Sequence, residues 1–201
     1  MNWIFIAVII IAWVYVLNAL DRAKLEFWRY MVGSMGLFII MMITLRESLT
    51  LPLARGVAAM AGMIGDLTNT FVAYFKYGII FIQTAAGSMT LQIDMECSGV
   101  IEIMAFLSLL IFFRVYNKYE RVIVGVLGTA YIMVCNALRI VLICEAVHFL
   151  GTDVYFIAHT FIGRIFFYGM TVILYFYVFT KAHIIQMKVG NFSYGNNKPS
   201  A

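Results

Sequence analysis

Long apolar runs dominate the chain, and residues 3–20, 30–45, 100–113, 122–144 and 159–179 carry almost no charge. About 20 such residues make a helix long enough to cross the ~30 Å hydrocarbon core of a bilayer. The pattern therefore predicts an all-α polytopic membrane protein with five or six transmembrane helices. Segment 46–96 departs from it. Residues 51–65, Leu-Pro-Leu-Ala-Arg-Gly-Val-Ala-Ala-Met-Ala-Gly-Met-Ile-Gly, are too short and too rich in Gly and Ala for a span, and they read as a surface-lying or re-entrant helix. Next, 77–84 and 89–95 are β-prone runs joined by Ala-Ala-Gly-Ser. The second alternates apolar Leu91, Ile93 and Met95 with polar Gln92, Asp94 and Glu96, the period of a strand. Together they predict a β-hairpin, which must lie at a membrane surface because an open sheet edge cannot face lipid. A sixth span over 67–86 is the competing reading of the same residues.

Composition narrows the class. Of 201 residues, 64% are hydrophobic and only 12% charged, with a mean hydropathy of +0.94, so there is too little polar surface to clothe a soluble domain. The chain reads as one membrane-embedded unit over 1–180 with a polar cytoplasmic tail over 181–201. The +4 net charge is poor support for nucleic acid, because in a membrane protein the placement of Lys and Arg sets topology. Nine of the fourteen Lys and Arg fall in 21–29, 114–121 and the tail after 180. The positive-inside rule makes those segments cytoplasmic and puts the N-terminus, 46–99 and the 145–158 loop outside. The N-terminus lacks the basic n-region and small-residue cleavage site of a removed signal peptide, so the first helix is expected to be retained.

Cys97, Cys135 and Cys144 form no CxxC pair or zinc-ligand spacing, and three cysteines leave at least one free thiol. Cys135 and Cys144 lie inside apolar helices and read as small core residues. Cys97 differs: it sits in Glu96-Cys97-Ser98-Gly99, at a strand-to-helix turn where free helix N–H groups would lower a thiol's pKa. Cys97 is 17 residues from Arg114, Arg139 is 18 from Arg121 and His159 is 22 from Lys181. At ~1.5 Å per residue these distances place a thiol, a guanidinium and an imidazole roughly 26, 27 and 33 Å above the inner boundary. A nucleophile, an oxyanion stabiliser and a general acid/base at one level are the parts that acyl transfer needs.

Arg139 has no carboxylate on its own helix face, and a charge so flanked in an apolar helix is functional by default. Asn136, three residues earlier, could orient its guanidinium. Arg164 lies at a similar depth but ~140° around an α-helix from His159. Glu102, five residues beyond Cys97, could pair with Arg139 or Arg164.

Cys97-Ser98-Gly99-Val100 opening a helix, Asn136-Ala137-Leu138-Arg139-Ile140 in the next, and His159 in the one after resemble, in the same order, the Cys, Arg and His blocks of the exosortase/archaeosortase family. The resemblance covers roughly 75–180 and includes the hairpin. It implies a membrane cysteine peptidase or transpeptidase with Cys97, Arg139 and His159 as the catalytic residues; from their own positions Asn136, Arg164 and Glu102 are expected around them, and no cofactor or metal is expected. The implied partner is a secreted protein ending in a short motif, one transmembrane helix and a basic tail, cleaved at the outer membrane interface. The product would pass to water or to a lipid or glycan acceptor. The rival class, a non-enzymatic transporter or scaffold subunit, would spread its polar residues through the bundle depth. A metalloenzyme built on Cys144, His148, Asp153 and His159 has no recommending spacing.

Overall fold

The structure, a computed structural model, describes residues 3–84 and 87–184. Six helices and three strands follow one another: α1 (Trp3–Arg22), α2 (Glu26–Thr44), α3 (Arg46–Thr68), β1 (Phe71–Tyr74), β2 (Ile79–Thr84), β3 (Gly87–Gln92), α4 (Val100–Phe112), α5 (Lys118–Leu150) and α6 (Thr152–Ile184). Helices α2, α3, α5 and α6 are each long and apolar enough to cross a membrane, and α4 is a shorter apolar helix of 13 residues. The chain is an all-α polytopic membrane protein that carries one small sheet. Large apolar side chains such as Val126, Leu127, Ile165 and Val172 stand exposed on α5 and α6, as expected where the neighbour is lipid.

Segment 46–96 is where the sequence and the structure part. The short surface helix expected over 51–65 is the middle of the continuous 23-residue α3, with Pro52 inside it. The alternative span over 67–86 is not formed, because those residues build the sheet. The sheet has three antiparallel strands in the order β1-β2-β3, with Val72 opposite Phe81 and Ile80 opposite Leu91. The expected hairpin is β2–β3. The extra strand β1 was not foreseen, since Phe-Val-Ala-Tyr is too short to show a period. Asn69, left-handed at φ 55°, ends α3 by donating its N–H to Gly65 O and so turns the chain toward β1.

Small residues explain how α3 meets the sheet. Ala54, Val57, Ala58, Ala61, Gly62 and Gly65 recur three and four apart and are buried, a flat stripe on which the strands lie. From the other side Phe71, Ile80, Ile82, Leu91 and Ile93 close the cluster, which extends to Ala137, Ile140, Val141, Cys144 and Val147 on α5 and includes Cys97. Helix α5 opens with an Asn117–Glu120 capping box and runs 33 residues, about 50 Å. This exceeds the ~30 Å apolar core, and its far end ties the sheet down: Thr70 Oγ1 donates to Glu145 Oε1 at 2.8 Å, and His148 Nδ1 meets Gln83 O. At the opposite end the basic segments converge. Asp21 accepts from Arg29 at 2.7 Å and Arg114 at 3.3 Å, Glu26 also pairs with Arg114, and Arg121 donates to Phe113 O. These exposed pairs add little stability, but they gather 21–29 and 114–121 on one side. The tail beyond Ile184 lies outside the described residues.

The closest approach of α3 to the sheet is at Gly65, where an added Cβ would lie 2.6 Å from Phe71 Cε2 and 2.7 Å from Phe71 O. One of those atoms is backbone and cannot swing away. Gly65→Ala is expected to destabilise the protein by ~1–3 kcal/mol, the usual cost of overpacking, read as a lower thermal midpoint of the detergent-solubilised chain.

Candidate active site

Seven residues, Ile93 to Gly99, carry the chain from the sheet into α4, and side chains within them brace the turn. Asp94 Oδ1 accepts from Cys97 N–H at 3.0 Å, an aspartate closing a turn three residues ahead. Ser98, wholly buried, donates through Oγ to Met95 O at 3.0 Å and accepts from Val100 N–H at the head of α4. Gly99 is left-handed at φ +76°, where any other L-residue pays about 1–2 kcal/mol. An added Cβ there would sit 3.4 Å from Asn136 Nδ2.

Asn136 is completely buried on α5 and donates from Nδ2 to Cys97 O. It does not orient Arg139, as its spacing suggested; it clamps the backbone of the Cys97 turn. Arg139, one turn further along α5, is 3% exposed, donates from Nη1 to Glu96 O at 3.4 Å and lies over the Phe167 ring. The α5 helix therefore holds the carbonyls of the two peptides that flank Cys97.

His159 comes from α6. The helix begins at Thr152, so His159 does not head it but lies in its second turn, within a π-helical stretch, Ala158–Ile162. Its Nε2 is 3.1 Å from Cys97 Sγ. The i→i+5 turn also changes where Arg164 points. α-helical counting set it far around the helix from His159, yet the two reach adjacent residues of one turn: His159 meets Cys97, and Arg164 Nη2 donates to Glu96 Oε2 at 3.1 Å.

Glu102 departs from expectation. Neither Arg139 nor Arg164 pairs with it in the described structure; Glu96 takes Arg164 instead. Glu102 shares with both arginines a cavity of about 290 Å³, lined also by Met95, Glu96, Ile101 and Tyr168. Cys135 and Cys144 are buried in core clusters, as their settings suggested. Asp94 and Tyr155, whose ring stacks on His159, were missed. An aspartate three before the cysteine and an aromatic four before the histidine were the available signals.

The thiol is not the lowered one that a helix N-terminus would give. Burial pushes it up to about 12, the Asp94 and Glu96 carboxylates add to the rise, and the Arg139 guanidinium pulls against it. The reason is position: Cys97 stands three residues before α4, its N–H is spent on Asp94, and its side chain is shut in the apolar cluster at 2% exposure. A thiol so raised keeps its proton through neutral pH and loses it only in strong alkali, unless a base stands next to it. His159 is that neighbour. Its removal by His159→Ala is expected to slow modification of Cys97 by methyl methanethiosulfonate at neutral pH and to move the pH midpoint of that reaction above the midpoint of the unaltered protein. Mass mapping of the Cys97 peptide across a pH series measures this.

A search of curated proteins finds no match, and a search of solved structures finds none. A protein-family model described as transmembrane exosortase matches residues 2–177, which covers every helix and strand described above except the last turns of α6. The chain belongs to the transmembrane exosortase family, whose members are membrane peptidases or transpeptidases.

Proposed function

We propose that this protein is a cysteine transpeptidase or peptidase that removes the C-terminal sorting signal of secreted proteins at the outer face of the cell membrane. The observation that carries the reading is the 3.1 Å contact between Cys97 Sγ and His159 Nε2, a nucleophile and a base within proton-transfer reach. Nε2 takes the thiol proton as Sγ attacks the carbonyl carbon of the scissile amide. Arg139, buried beside the turn and already acting on the Cys97 charge, meets the negative charge that forms on the carbonyl oxygen. His159 then returns the proton to the departing amine, which leaves a thioester on Cys97. Water releases the acid, and an amine or hydroxyl acceptor on a lipid or glycan takes the acyl group instead, with His159 accepting the proton of either. Arg164 and Glu96, paired beside the turn, hold its far side.

The substrate in this reading ends in a short motif, one transmembrane helix and a basic tail. Such a tail anchors the helix on the cytoplasmic side and presents the motif at the opposite surface. Support for that placement is the separation of the Arg29–Arg114–Arg121 end from the end that bears the sheet and Cys97.

The test is processing of a secreted protein of this kind encoded beside the gene, followed by mass, with enzyme amount measured in the same membranes. Cys97→Ser should abolish cleavage at unchanged abundance, because a hydroxyl is far less ionised than a thiol; full processing by this variant would sink the reading. Arg139→Lys keeps the charge but loses the planar fork, and a drop of ~100- to 1,000-fold is expected, the usual loss on removing one oxyanion donor. Near-normal activity would move that role to another residue. Orientation is read separately. Cys97 is too buried for a bulky probe, so Ser88→Cys, on exposed β3, should react with a membrane-impermeant maleimide on intact cells. Labelling only after permeabilisation would reverse the assigned sides.

A further inference from the structure

A base that serves a nucleophile is usually held by a third group, and in most such sites that group accepts a hydrogen bond from the other ring nitrogen. His159 is different. Among the described residues its one hydrogen-bond partner is Cys97, through Nε2. An imidazole's torsion about Cβ–Cγ is intrinsically soft, so something else must keep Nε2 on the sulfur. What the ring meets is the face of Tyr155, with centroids 5.4 Å apart and planes 23° from parallel. Tyr155 precedes His159 by four residues on α6, the spacing of neighbours on one helix face. Its ring in turn packs against the buried cluster that holds Cys97, Ala137, Ile140 and Cys144. Nucleophile, base and clamp therefore rest on one body of apolar side chains.

We propose that Tyr155 is a positioning residue for His159: its ring, fixed by the cluster, limits rotation of the imidazole so that Nε2 stays on Cys97 Sγ. The stacking face does this, and the phenol hydroxyl takes no part. The proposal rests on the Cys97–His159 reading above. The charged groups around the imidazole are Asp94 and Glu96 from the turn, Arg139 from α5 and Arg164 from α6. All four are retained in the variants below, so a change in pH response reports on the imidazole's placement.

The experiment uses the full chain in detergent and methyl methanethiosulfonate as probe, with modification of Cys97 followed by mass across a pH series. Tyr155→Phe keeps the ring and should reproduce the unaltered profile. Tyr155→Leu should slow Cys97 modification at neutral pH by about tenfold and move the midpoint to higher pH by about one unit, toward that of His159→Ala. A midpoint unchanged in Tyr155→Leu overturns the proposal, as does Tyr155→Phe behaving like Tyr155→Leu. If His159→Ala itself leaves the profile unchanged, the base assignment fails, and that result is separate from failure of the clamp. Cys144, wholly buried in the same cluster, reports on folding and should stay unmodified. Should it react in Tyr155→Leu, Tyr155→Met, whose longer and more flexible side chain fills irregular gaps, is read in its place against the same two outcomes.

Discussion

The site depends on one hydrogen bond, from the Asn136 side-chain amide to the backbone carbonyl of Cys97. A buried donor that finds no partner costs ~1–3 kcal/mol, and Asn136 is completely enclosed, so losing this bond would strand the Nδ2 group as well as free the turn. Because the donor sits on α5, the backbone of Cys97 takes its position from that helix rather than from α4, which it precedes. The same helix carries Arg139 to Glu96 O and anchors the sheet through Glu145 and His148. One rigid element thus fixes the thiol, the guanidinium and the strands that lead into the thiol's turn. Gly99 is part of the same arrangement, since its left-handed turn and missing side chain leave room for the Asn136 amide.

The sheet serves this arrangement rather than forming a separate body. Its inward residues Ile80, Ile82, Leu91 and Ile93 pack on the small-residue stripe of α3 and on α5, and the chain leaves β3 directly into the Cys97 turn. Strands cannot hide their edges in lipid, so the length of α5 beyond the apolar core gives the sheet its place. The Ala and Gly content of α3, which makes it a weak candidate for a span, is what lets two layers approach closely.

What could be read from the chain followed the strength of each local signal. Apolar runs over 3–20 and 100–113 gave α1 and α4 almost to the residue, and the alternation around Leu91 and Ile93 gave the hairpin. Periodicity could not give β1, four residues long, or the reach of α3 past Gly and Pro. For the site, depth counting brought Cys97 and His159 to one level, and the two touch. It failed for side-chain direction. Arg164 was misjudged because a π-turn changes the angular step, Glu102 because Glu96 lies nearer to Arg164, and Asn136 because its partner is a backbone carbonyl, which no residue pattern reveals. The direction of the thiol's shift differed for a related reason: the helix terminus is visible in sequence, whereas burial by residues from α3, α5 and the sheet, which pushes the thiol up, is not.

That enclosure has a consequence for the lifetime of the protein. Oxidants attack the thiolate rather than the thiol, and they need access. A permanently ionised and open cysteine would drift toward sulfinic and sulfonic acids. Cys97, protonated and 2% exposed, offers neither the charge nor the opening. A protonated, enclosed sulfur resists oxidation at rest, and in the proposed mechanism the reactive thiolate exists only while His159 holds the proton.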